Sequence, residues 1–302
     1  MRLRKQKKVV AVTLATAIAV STISASASAV SYDLANGDVT IDQDADRGAF
    51  SYQGEDKKEN RTYVNEDKED DGKIIIKGDK DTPTENTVTV QEDVEKTKKD
   101  DGSAGRDVDI VIDGVNADTS ESGKSTVTVG EGANVDLTVR DSTLTTGGNG
   151  IDIGKDLDGT DENKDTKVDL TLEDTTINQT NKNSAGLDVR QGSDVDLTIK
   201  GDKEETSDTT EETTGGSLTI KGTTTGMVIA GGSDEEDSSV TITDGADVTI
   251  QDTHVSGSTQ SGRGVTQHGD LTLDGGSSLT IDGSHVGEDG KTHENGGICI
   301  AR

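Results

Sequence analysis

Five aspartates stand where a repeating chain could gather carboxylates. Asp136, Asp169 and Asp196 each lie inside a V-D-L triplet, while Asp152 and Asp188 lie inside I-D-I and L-D-V. Apolar residues flank each one, so in an extended chain the carboxylate points away from the side that its neighbours bury. If the triplets stack on successive coils, the first three form one outward column and the last two another. Neighbouring carboxylates would then lie about 4.8 Å apart. Like charges at that spacing repel, and such columns need water, nearby lysines or a divalent cation. Ca2+ is the hard ion that carboxylates bind outside the cell, and it is the one cofactor these columns suggest.

Other residues offer weaker chemistry. Gly147-Gly148-Asn149-Gly150-Ile151-Asp152 matches the start of a calcium-binding nonapeptide. It occurs once, with Gly154 in the apolar position, whereas such sites work in tandem. Asp156-Leu157-Asp158-Gly159, with Asp165 beyond, matches part of an EF-hand loop but has Gly154 where the first carboxylate belongs. His254 and His285 occupy equivalent places in D-T-H-V and G-S-H-V, and two imidazoles without a third ligand are a poor Zn2+ site. Cys299 aligns with Asp152, faces outward and has no placed base to activate it. A polysaccharide lyase or hydrolase needs a subsite groove with paired carboxylates, or Ca2+ with a strong base. The repeats contain no aromatic ring for sugar subsites, and Arg106, Arg140, Arg190, Arg263 and the terminal Arg302 form no cluster. Outward T-x-T pairs at Thr87/Thr89, Thr126/Thr128 and Thr241/Thr243 could suit an ice surface, but Asp at equivalent positions interrupts the array.

The elements that must position these residues are short strands. Ser125 to Ile153 holds three of them, around Val127/Val129, Val135/Leu137/Val139 and Ile151/Ile153, separated by Gly, Asn, Asp and Thr. Period-2 alternation marks a strand with one buried face. The unit returns from Ser238 to Gln267 and from Gly269 to Ile300. Three strands, two tight corners and one variable loop describe one coil of a solenoid. The fold class expected is all-β, a single-stranded right-handed parallel β-helix with three short strands per coil and an irregular N-terminal cap. Val127, Val129, Leu137, Val139, Ile151 and Ile153 should be buried, with Thr128, Asp136, Thr138 and Asp152 exposed. Val240, Ile242, Val248 and Ile250 should lie over Leu271, Leu273, Leu279 and Ile281, with His254 beside His285.

Arg2, Arg4, Lys5, Lys7 and Lys8 precede an apolar run from Val9 to Val20, and Ala27-Ser28-Ala29 offers a cleavage site. This is a secretory leader over residues 1–29, which sends the rest out of the cytoplasm. Residues 30–105 read as the cap and first irregular coils, where all three tyrosines and the phenylalanine lie (Tyr32, Phe50, Tyr52, Tyr63). Residues 106–302 read as the β-helix proper. Charge runs such as Glu92 to Asp101 read as solvated loops. The chain stops directly after a strand at Ile300-Ala301-Arg302, and an uncapped last coil would expose core and strand edges. A continuation of the chain or a capping partner is therefore expected. The net charge is −30, with 60 acidic and 30 basic residues, and falls to about −35 without the leader. Such a surface disfavours nucleic acid and anionic lipid. The single cysteine excludes an intrachain disulfide framework.

With V-D-L-T-V, G-I-D-I-G and I-V-I-D-G-V, the chain resembles the secreted right-handed parallel β-helix proteins of Gram-positive bacteria, within the pectate-lyase-like superfamily. Tyr32 to Ile41, Ile74-Ile75-Ile76-Lys77-Gly78, Val111 to Val115 and Ser184-Ala185-Gly186-Leu187 carry the likeness. That group includes β-helix proteins described as carbohydrate-binding domains. The resemblance implies a secreted, non-catalytic cell-surface module of structural or adhesive kind, meeting a glycan or another surface component. The alternative is a Ca2+-assisted carbohydrate-binding module, with a polysaccharide-active enzyme a further one.

Overall fold

Each V-x-L-x-V run forms a parallel strand whose faces alternate. Along Asn134–Arg140, Val135, Leu137 and Val139 are at most 1% exposed while the residues between them reach solvent in part. In the computed structural model the chain then turns a corner into Thr143–Thr146, which buries Leu144, and a second corner into Ile151–Lys155, which buries Ile151 and Ile153. The next coil repeats the sequence as Thr166–Glu173, Thr175–Gln179 and Ala185–Val189. The structure describes residues 30–44, 49–53, 61–63, 74–92, 94, 108–159, 166–181, 184–190, 193–200, 217–222, 225–229, 238–251, 263–268, 270–282, 285–286, 292–293 and 296–301.

Strands of like position stack into three sheets of eight, six and ten strands, the first, second and third in the order a coil visits them. Pairing is parallel throughout the stack. The molecule is a right-handed parallel β-helix with three strands per coil. Register is strict: Val135, Leu137 and Val139 lie on Val168, Leu170 and Leu172, which lie on Val195, Leu197 and Ile199. The stacking expected of the last two coils holds, with Val240 on Leu271, Ile242 on Leu273, Val248 on Leu279 and Ile250 on Ile281. Antiparallel pairing is confined to two places among the described residues. Ala49–Gln53 and Arg61–Tyr63 extend the third sheet beyond Val39–Asp44, and His285–Val286 pairs with Thr292–His293.

One core runs the length of the stack. Each fully buried Val, Leu or Ile side chain contributes roughly 1.5–3 kcal/mol. No coil could gather enough of them alone, so the coils stabilise one another. At the far end that protection thins: Leu273 and Ile298 are each 47% exposed, whereas Ile242 and Val265, one coil earlier, are fully buried.

Two local devices make the coil. At the corner after the first sheet the backbone takes positive φ, at Gly114 (66°), Asp141 (51°), Asp174 (41°) and Asp244 (57°). Only Gly, and Asp or Asn with it, enters that region cheaply, which explains the Asp and Asp-Gly punctuation. At the start of the third sheet Gly150, Gly186, Gly226 and Gly264 each face an isoleucine of the next coil. A Cβ there would collide with Ile177, Ile220, Ile250 and Ile281 respectively. The missing side chain lets the isoleucine close the gap between sheets.

Candidate functional site

The first sheet builds the acidic column. Asp136, Asp169 and Asp196 are register partners on consecutive strands, as their V-D-L triplets require. Asp109 precedes them in the same register. Sequence reasoning left it out although V-D-I carries the same signal. Ser239 follows, and its Oγ donates to Asp196 Oδ1 at 2.6 Å. Asp169 and Asp196 are exposed, Asp109 and Asp136 half-buried. Two residues along, Thr138, Thr171, Thr198, Thr241 and Thr272 make a parallel hydroxyl column. Beyond it the charges alternate instead. Lys77 lies on Asp113, Asp113 on Arg140 and Arg140 on Glu173, with Arg140 Nη2 donating to Asp113 Oδ2 at 3.0 Å. The uniform acidic column therefore stands beside one that neutralises itself.

The third sheet builds a different site. Asp152 and Asp188 are register partners there, in a column that also holds Thr40, Thr89, Thr128, Val228, Thr266 and Cys299. Asp152 was expected to face solvent, but it is 2% exposed, and Thr128 beside it is 7% exposed. Side chains from its own strand and from neighbouring coils cover this face. Arg190 Nε and Nη2 donate to the two Asp152 oxygens at 3.1 and 3.3 Å, and Lys155 Nζ lies 3.6 Å away. Ser125 Oγ adds a long contact at 3.5 Å. Nearby, the Glu92 backbone packs against Gly130.

Asp188 has a different environment. It is half-buried and accepts a bond from Asn149 Nδ2 at 2.8 Å. Burial, and then the charge of Asp152, push its carboxyl above the usual carboxylate range, while Arg190 and the Asn149 bond oppose them. Asn149 is the joint of the site. Its Oδ1 accepts from Ala185 N at 2.9 Å, and its own N donates to Ser125 Oγ at 3.2 Å, so it ties three coils together. Neither Asn149 nor the two cations could be found from the carboxylate motif, because they come from corners and strand ends. The glycine-rich turn that matched a calcium nonapeptide is bonded internally: Asn149 O accepts from Thr146 Oγ1 at 3.0 Å.

A third cluster lies where the loop after Ile151–Lys155 turns back across the stack. Glu92, Asp156 and Asp158 bring carboxylate oxygens within 4.8 Å of one another. Glu92 accepts from the backbone N–H groups of Leu157 and Asp158. Its place in a charge run suggested a solvated loop, and the fold instead makes it the anchor of another loop. Of the two histidines, His285 pairs with His293 on the short antiparallel ladder. His254 lies outside the described residues. Cys299 occupies the Asp152 column, as the alignment predicted.

Comparisons with protein-family models, with curated proteins and with solved structures each returned no match.

Proposed function

We propose that this chain is a secreted, non-catalytic β-helix that works at a bacterial surface as a structural or adhesive module. The observation that carries this reading is the unbroken register of the first sheet through eight strands. It makes a rod about 34 Å long at the usual inter-strand spacing, with Asp repeated on four consecutive strands of one outward column and Thr on five consecutive strands of the next. A surface that repeats in this way suits a repeating partner, and glycans are the repeating polymers of the bacterial exterior. The basic, apolar and A-x-A pattern of residues 1–29 supports export. The V-D-L-T-V and G-I-D-I-G motifs support kinship with the pectate-lyase-like β-helices of Gram-positive bacteria, including their carbohydrate-binding members.

The in-register column Asp109, Asp136, Asp169 and Asp196 favours a second reading. In it Ca2+ bridges these carboxylates to an acidic polysaccharide, since stacked carboxylates attract a hard divalent ion. A glycan array probed with and without chelator separates the two. Binding that survives chelation supports direct adhesion, binding lost on chelation supports the calcium bridge, and no binding on either arm leaves a purely structural role.

A further inference from the structure

Asp188 is a second carboxylate placed where the fold already has one. Its register partner Asp152 is buried and takes both nearby cations, Arg190 at 3.1 Å and Lys155 at 3.6 Å. Asp188 accepts from the neutral Asn149 amide, shares the Arg190 charge with Asp152 and is half-buried. Other coils hold a neutral side chain at this position. The same column carries Thr128 below and Val228 and Thr266 above, in the same parallel geometry. Burial and the Asp152 charge both disfavour ionised Asp188. A side chain that costs stability, is half-exposed and is replaceable in its own column marks a site held for binding.

The surrounding charges select the ligand. Two carboxylates and two cations nearly balance, with Glu131 acting on Arg190 from the coil's edge. A metal ion approaching Asp188 meets Arg190 and Lys155, which are 43% and 37% exposed. An anion meets Asp188, Glu131 and the strongly acidic molecule. A neutral ligand escapes both penalties. Acceptor and donors also stand together, with the Asp188 carboxylate bonded to the Asn149 amide and within the field of the Arg190 guanidinium. A vicinal diol matches that set, because one hydroxyl donates to the carboxylate while the other accepts from the guanidinium.

We propose that Asp188, Arg190, Lys155 and Asn149 on the third sheet form a subsite for a neutral sugar, with Asp188 accepting from a hydroxyl. The proposal rests on the glycan-contacting form of the adhesive reading. The test is affinity gel electrophoresis of the secreted chain in soluble β-glucan, xylan and mannan, with melting followed in parallel. Asp188→Asn and Asp188→Thr, the latter matching Thr128 and Thr266, should weaken retardation at least tenfold with no loss of melting temperature. Asp247→Asn, an exposed acid-to-amide change on the second sheet, should bind as the parent does. Equal retardation of parent and Asp188 variants overturns the subsite and leaves glycan contact standing. No retardation of the parent by any of the three overturns both. Retardation that needs added Ca2+ also overturns the subsite, since it would place a cation where two cations already stand.

Discussion

Asp152 and Asp188 share a register position and differ in what their charge does to the fold. The Asp152 carboxylate is desolvated but satisfied by Arg190 and Lys155. Asp188 has a raised pKa because burial and Asp152 disfavour its ionised form. The folded state therefore holds the Asp188 proton more tightly than the unfolded chain does. Its ionisation costs stability at neutral pH, and that cost is relieved as pH falls through the raised folded value towards the ordinary 3.8. Asp188→Asn should thus be more stable than the parent at pH 7, and the gap should close as the medium becomes mildly acidic. Melting curves of both proteins between pH 4 and pH 7 check this. A constant gap over that range would mean that Asp188 titrates alike in both states.

At the scale of the element, the packing of third sheet on second depends on glycines that the strand pattern alone does not explain. Gly186 sits within reach of Ile220 and of the Gly226 carbonyl of the following coil. Backbone cannot yield as a flexible side-chain tip does, so Gly186→Ala should destabilise by about 1–3 kcal/mol through overpacking. Removing the opposing side chain should recover part of the loss. The double variant Gly186→Ala/Ile220→Ala should therefore cost less than the sum of the two singles, as read by denaturant unfolding. Strict additivity would show that the Ile220 contact is not what excludes a methyl group there.

Over the whole molecule the dominant fact is charge. With a net charge of −30, self-repulsion opposes the compact state, and the column through Asp136, Asp169 and Asp196 concentrates it. Each adjacent pair repels by at most about 0.9 kcal/mol at the dielectric of water, and by less in salt. An ion that bridges the column binds only the folded register and stabilises it by RT ln(1 + [L]/Kd), roughly 2.7 kcal/mol at a hundredfold excess over Kd. On the calcium reading, millimolar Ca2+ raises the melting temperature more than a sodium salt of equal ionic strength. Asp169→Asn then melts higher than the parent without Ca2+ and responds less to it. Coincident curves in the two salts would leave the column as solvated surface and remove the calcium bridge.

The sequence by itself determined the coil. Alternation in V-D-L-T-V is a property of consecutive residues, and it decides which faces are buried wherever a strand forms. Because every coil carries that pattern, the stacking of Val240 and Ile242 on Leu271 and Leu273 followed from matching one repeat to the next. The carboxylate columns were legible for the same reason. What only the tertiary structure decided is how each column is surrounded. Asp152 and Asp136 read alike in sequence, yet one is buried under Arg190 and Lys155 and the other stands beside a threonine column. Glu92 looked like part of a solvated run and instead holds the loop at Leu157 and Asp158. Lys155 stands at the end of the Asp152 strand, but Arg190 and the loop at Leu157 and Asp158 come from other coils than the residues they meet, so no local period records them. The direction of a side chain is set by its own strand, but its electrostatic environment is set by whatever the stack brings beside it.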